Sequence, residues 1–165
     1  MNALEPPDSH LVNAASGWIE LGLPAEAERE LAQVDPTQLQ HPQVLMVLWE
    51  LYVHQERWEA ALVVASKLLE SDQSRPTGWI NRSYALHGLR RTAEAHAALL
   101  PAEKLFPSVG VIPYNLACYA CQLGDLPAAR TWLRKAMKID GRAVVLERAR
   151  TDEDLLPLVP ELGGI

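Results

Sequence analysis

Tyr114-Asn115-Leu116-Ala117-Cys118-Tyr119-Ala120-Cys121-Gln122-Leu123-Gly124-Asp125-Leu126-Pro127-Ala128-Ala129 decides the fold. Leu116, Ala117, Ala120 and Leu123 fall at i, i+1, i+4 and i+7, which puts them on one face of a helix. Gly124 stops that helix in the left-handed conformation that glycine adopts without a steric penalty. Pro127 sits in the first turn of the next helix, where its missing N–H is not needed. Helix, tight turn and second helix make a hairpin, and Ala129 marks where the two helices cross closely.

Moving outward from Ala129, alanine recurs at Ala95, Ala61 and Ala27, always 34 residues apart. With these alanines at position 20 of a repeat, Pro42 and Pro76 both take position 1. Position 24 reads Leu31, Ala65, Leu99, Leu133, and position 27 reads Val34, Leu68, Ala102, Ala136. Position 8 reads Ala15, Trp49, Ser83, Ala117, small in all but one unit. Positions 7, 8, 11 and 14 share a face of a first helix, and 20, 24 and 27 share a face of a second. A fixed period of this length with no gap is the signature of a repeat architecture.

The chain resembles the tetratricopeptide repeat family, whose pattern has Trp at 4, Gly or Ala at 8, Tyr at 11, Gly at 15, Ala at 20 and 27, and Pro at 32. The third unit matches with Trp79, Ala95, Ala102 and Pro107, and the fourth with Ala117, Gly124, Ala129 and Ala136. The second carries Tyr52 and Ala61 but has Trp49 at position 8 and Glu56 at position 15. The first matches at Ala15, Gly22 and Ala27, with Trp18 at position 11. The resemblance implies an all-α fold, a right-handed superhelical α-solenoid of four helix hairpins closed by C-terminal capping helices.

The expected organisation follows. Residues 1–7 form a flexible lead, with a helix cap at Asp8 or Ser9. Repeats span 8–41, 42–75, 76–109 and 110–143, and Pro36 shortens the second helix of the first. A helix from Arg142 to about Ala149 completes the stack. Thr151, with Asp154 three residues on, reads as a helix start, and the paired carboxylates Asp152 and Asp154 read as charges favouring its N-terminus. Residues 144–165 hold the cap that an open repeat array needs, ending in a frayed Gly163-Gly164.

Composition narrows the function. A net charge of −6 and a pI near 5.3 argue against nucleic acid, whose phosphates need a basic surface. No window of eighteen apolar residues predicts a membrane span, and Met1–Asp8 has no secretory pattern. Two cysteines make no disulfide framework. The expected setting is the cytoplasm. No Ser-His-Asp order, glycine-rich phosphate loop or His-Glu-x-x-His run is present, so no enzyme and no cofactor are expected.

The resemblance implies that side chains at positions 5, 9, 12 and 13 of the first helices face a groove. The candidate partner-binding residues are therefore Met46, Glu50, His54, Ile80, Tyr84, His87, Tyr114, Cys118, Cys121 and Gln122. This set is apolar and aromatic with little formal charge, which suits a peptide or helix of another protein. The Lys and Asn that clamp chaperone C-termini in some relatives are missing from positions 5 and 9. Arg82, Arg90 and Arg91 read as a solvated helix end.

Three functional expectations result. The leading one is a non-enzymatic interaction scaffold that binds a partner in the groove. The second is a secretion chaperone, because length, acidity and repeats are similar to the small tetratricopeptide chaperones of type III secretion. The third is a metal-responsive regulator using Cys118, Cys121 and His87. Against it, zinc sites want four ligands, and cysteine often serves as a small buried hydrophobe. Trp49 and Trp58 are unusual at their positions and leave self-association open.

Overall fold

The computed structural model describes residues 3–164, and over that range the fold is all-helical. Nine α-helices run α1 Asp8–Glu20, α2 Pro24–Leu31, α3 Pro42–His54, α4 Trp58–Ser71, α5 Pro76–Gly88, α6 Thr92–Leu105, α7 Val111–Gln122, α8 Leu126–Asp140 and α9 Arg142–Thr151 among the described residues. Short 3-10 segments follow α2 and α9, at Pro36–Gln38 and Glu153–Gly164. The second helices begin at Pro24, Trp58, Thr92 and Leu126, which is the 34-residue period realised in backbone. No described helix is long and apolar enough to cross a membrane.

The chain divides into two compact units, Met1–Gly88 and Leu89–Ile165, so the division falls inside the third repeat. In unit 1, α1 packs on α2, α3 on α4, and α4 on α5. Its core gathers Val12, Ala15, Ala27, Leu31, Val44, Val47 and Leu51 around Trp18 and Tyr52. In unit 2, α7 packs on α8 and α8 on α9, and the 3-10 segment Glu153–Gly164 lies on α7 and α9. Ala27, Ala61, Ala95 and Ala129 are each 0% exposed. That is why position 20 stays small: an added methylene there would force helices apart at about 1–3 kcal/mol.

The turns show one rule obeyed by unlike residues. Position 15 holds Gly22, Glu56, Arg90 and Gly124, and all four have positive φ, at 71°, 55°, 61° and 82°. Leu23 N–H donates to Trp18 O at 2.8 Å, Arg57 N–H to Tyr52 O at 2.8 Å, and Asp125 N–H to Ala120 O at 2.9 Å. These six-to-one bonds close the helix end by capturing a carbonyl that would otherwise lack a partner. Glu56 departs from the repeat pattern in residue type yet keeps the turn, because tertiary packing of α3 on α4 dictates the backbone. The side chain carries the strain, roughly 1–2 kcal/mol for an L-residue in this region.

Other expectations need correcting in detail. Asp8 is the first residue of α1 but does not cap it, since Pro7 occupies the cap position without a side-chain bond. Its Oδ1 instead accepts from Asp35 N–H at 3.0 Å, tying α1 to the segment after α2. Of the expected lead, Met1 and Asn2 lie outside the described residues, while Leu4 is buried at 7% exposure in the first core cluster. Thr151 ends α9, its hydroxyl donating to Arg148 O at 3.2 Å. Asp152 takes the starting role, its Oδ1 accepting from Asp154 N–H at 3.1 Å. Pro157 and Pro160 lack the N–H groups an α-helix would use, and the segment winds as 3-10 instead. Of the expected frayed end, Gly164 is exposed and Ile165 lies outside the described residues.

Candidate functional site: the exposed face of the first helices

In unit 1 the candidate face is built by α3 and α5. Their one-turn spacings bring Met46, Glu50 and His54 to one side of α3, and Ile80, Tyr84 and His87 to one side of α5. His54 is exposed, Met46, Glu50, Ile80 and His87 are half-buried, and Tyr84 is 42% exposed. Asn81 Nδ2 donates to Met46 Sδ at 3.8 Å, which registers the two helices against each other. Burial pushes the Glu50 carboxyl above its ordinary range, and the nearby charge of Glu20 adds to it. Beside Met46, a small pocket is lined by Pro42, Leu68, Asp72, Arg75 and Gly78. It exists because Gly78 lets α5 lie against α4: a Cβ there would come within 2.7 Å of Leu69 Cα.

Tyr84 stands on two indoles. Its ring centroid is 6.2 Å from Trp49 and 5.9 Å from Trp58, with interplanar angles of 62° and 64°. Both contacts are edge-on, the arrangement the ring quadrupoles favour, at roughly 0.5–1.5 kcal/mol each. Trp58 also packs on the backbone of Gly88, where a Cβ would collide with its indole. The indole N–H of Trp49 is buried and has no hydrogen-bond partner among the described residues. Sequence reading missed Trp58 as part of this surface. The signal was present in its departure from the repeat pattern, alongside Trp49 at a position that is otherwise small.

The equivalent residues of unit 2 are covered. Tyr114 is 2% exposed, and Cys118 and Cys121 are each 4% exposed. The Tyr114 hydroxyl donates to Asp152 Oδ2 at 2.8 Å, and Cys118 Sγ lies 3.7 Å from the same oxygen. Gln122 is exposed, and its Nε2 donates to Asp154 O at 3.0 Å. The Arg148 guanidinium lies 3.8 Å from the centre of the Tyr114 ring, a close cation–π contact. Burial raises the Tyr114 hydroxyl well above its usual range, and the bond to Asp152 raises it further. Burial likewise raises Cys118 and Cys121, with the carboxylates of Asp152 and Asp154 adding to the effect.

Both cysteines are free. Cys118 Sγ and one oxygen each of Asp152 and Asp154 lie within 4.8 Å of one another. This is a different grouping from the Cys118, Cys121 and His87 set expected from spacing, and it does not include Cys121. Asp152 and Asp154, which sequence reading assigned to favouring a helix N-terminus, are thus the groups that meet α7.

No family model and no curated protein matches the chain. Solved structures do. MamA MSR-1 C2 superposes with a TM-score of 0.68 at 21% identity, covering 81% of this chain and 76% of that one. MamA RS-1 ArsTM double mutant gives 0.71 at 14% identity, over 83% and 77%. MamA AMB-1 P212121 gives 0.54 at 20% identity, over 81% and 91%. The likeness is one of fold. MamA is a helical repeat protein of tetratricopeptide type, so the repeat read from the 34-residue period has a solved counterpart in three dimensions.

Proposed function

We propose that this chain is a non-enzymatic interaction scaffold that holds a peptide or helix of a partner protein on the exposed face of unit 1. The observation that carries this reading is Tyr84, a large aromatic left 42% exposed on a base of two tryptophans. A rigid aromatic with an apolar base and a polar tip gives much contact area for little lost side-chain entropy. Met46 and Ile80 beside it are adaptable apolar contacts, and the half-buried Glu50 supplies one acceptor for orientation. The acid balance of the chain fits a protein partner better than a polyanion. Two free, buried cysteines fit a reducing compartment such as the cytoplasm.

The test is capture from native lysate by the intact chain, with Tyr84→Ala beside it and Val63→Ala as a control at an exposed site on α4. Expected is a protein retained by the unaltered and Val63→Ala chains and lost at least tenfold with Tyr84→Ala. Equal capture by all three places binding elsewhere on the molecule.

A further inference from the structure

Residues 152–158 meet unit 2 in the way a bound peptide meets a receptor. A side-chain carboxylate, Asp152, accepts from the Tyr114 hydroxyl. A main-chain carbonyl, that of Asp154, accepts from the Gln122 amide. Two apolar side chains, Leu155 and Leu158, are each 0% exposed. Peptide recognition commonly combines such contacts: main chain for affinity, pockets and charges for selectivity.

The segment is also held in a way that permits release. It is wound as 3-10 and interrupted by Pro157 and Pro160, a conformation with poorer hydrogen bonds than an α-helix. Elements of this kind open locally at free energies below that of global unfolding.

We propose that residues 152–158 are an internal ligand, occupying a site on α7 that also accepts a partner segment of the same chemistry. That chemistry is Asp-x-Asp-Leu-x-x-Leu, with the first acid at the Tyr114 hydroxyl, the next residues' main chain at Gln122, and both leucines buried. The site is separate from the Tyr84 face and does not depend on it.

The probe is a fluorescein-labelled peptide of residues 151–160, titrated into the full-length chain and followed by anisotropy. Leu155→Ala in the chain loosens the internal copy, and the peptide should then bind at least tenfold more tightly than to the unaltered chain. Adding Tyr114→Phe should remove most of that gain, whereas adding Tyr84→Ala should leave it unchanged. Equal binding by the unaltered and Leu155→Ala chains, or indifference to Tyr114→Phe, overturns the proposal. Loss of binding with Tyr84→Ala overturns it too, by placing the peptide on unit 1.

A second measurement stands even if Leu155→Ala fails to fold. Cys118 and Cys121 are the only cysteines of the chain and are both buried. Their reaction with a disulfide reagent should outpace global unfolding, and should rise severalfold in Asp152→Asn while still outpacing that variant's own global unfolding. Reaction no faster than global unfolding in both chains makes the segment a fixed cap and overturns the proposal.

Discussion

Tyr84, at position 9 of the third repeat, and Tyr114, at position 5 of the fourth, lie on the same side of their first helices yet meet opposite fates. Tyr84 is 42% exposed on its two tryptophans, whereas Tyr114 is 2% exposed beneath Asp152 and Arg148. Around them, Met46, Ile80 and His87 are half-buried, while Cys118 and Cys121 are buried. The residue types of the two faces do not explain this, since both are apolar and aromatic with a single amide or carboxyl group. What differs is the segment lying on them. Unit 2 supplies residues 152–158 to its own face, and unit 1 leaves its own exposed. A short non-repeating segment thus covers the face of α7, and it is this cover, not the residue types of the repeat, that separates the two faces.

The comparison breaks most directly at the two tyrosines. Tyr114→Ala should destabilise unit 2 by about 3–5 kcal/mol, because it removes a fully buried ring and leaves the Asp152 carboxylate without its donor. Tyr84→Ala should cost unit 1 less, about 1–3 kcal/mol, the worth of its two edge-on contacts. Urea unfolding followed by circular dichroism gives both values. Similar losses for the two variants would mean that the faces are equally engaged.

A smaller effect sharpens it at the turns. Each unit has one glycine and one side chain at the left-handed position 15, Gly22 with Glu56 and Gly124 with Arg90. Glu56→Gly should stabilise unit 1 by about 0.5–1 kcal/mol and leave the thiol reactivity of unit 2 unchanged. A destabilised Glu56→Gly chain would show that the Glu56 side chain contributes more than its strained backbone costs.

Much of the fold was legible because its causes are local. The spacing of Ala27, Ala61, Ala95 and Ala129 located every second helix, and Pro42 and Pro76 mark the first residues of α3 and α5. Pro36 correctly predicted an early end for α2, at Leu31. The site was less legible because its causes are not local. Position within a repeat says which way Tyr114 points, but not that Asp152, 38 residues on, will bond to it. Asp152 and Asp154 read as ordinary helix-start acids, since their contacts with α7 leave no periodic trace. Trp58 read only as unusual at its position, because its contact with Tyr84 crosses from α4 to α5. Glu56 seemed to break the turn pattern, yet packing imposed the same backbone on it as on Gly22.

The contrast between an open and a covered face is tested most directly by thiol accessibility in the folded chain. A full-length Tyr84→Cys variant presents a thiol on the unit 1 face beside the native Cys118 and Cys121, and alkylation resolved by mass spectrometry reports all three. Expected is reaction at position 84 at least about a hundredfold faster than at Cys118, as an exposed thiol compares with one that must wait for local opening. Equal rates at position 84 and Cys118, with helix content unchanged, would contradict the cover on unit 2 and the distinction between the two faces.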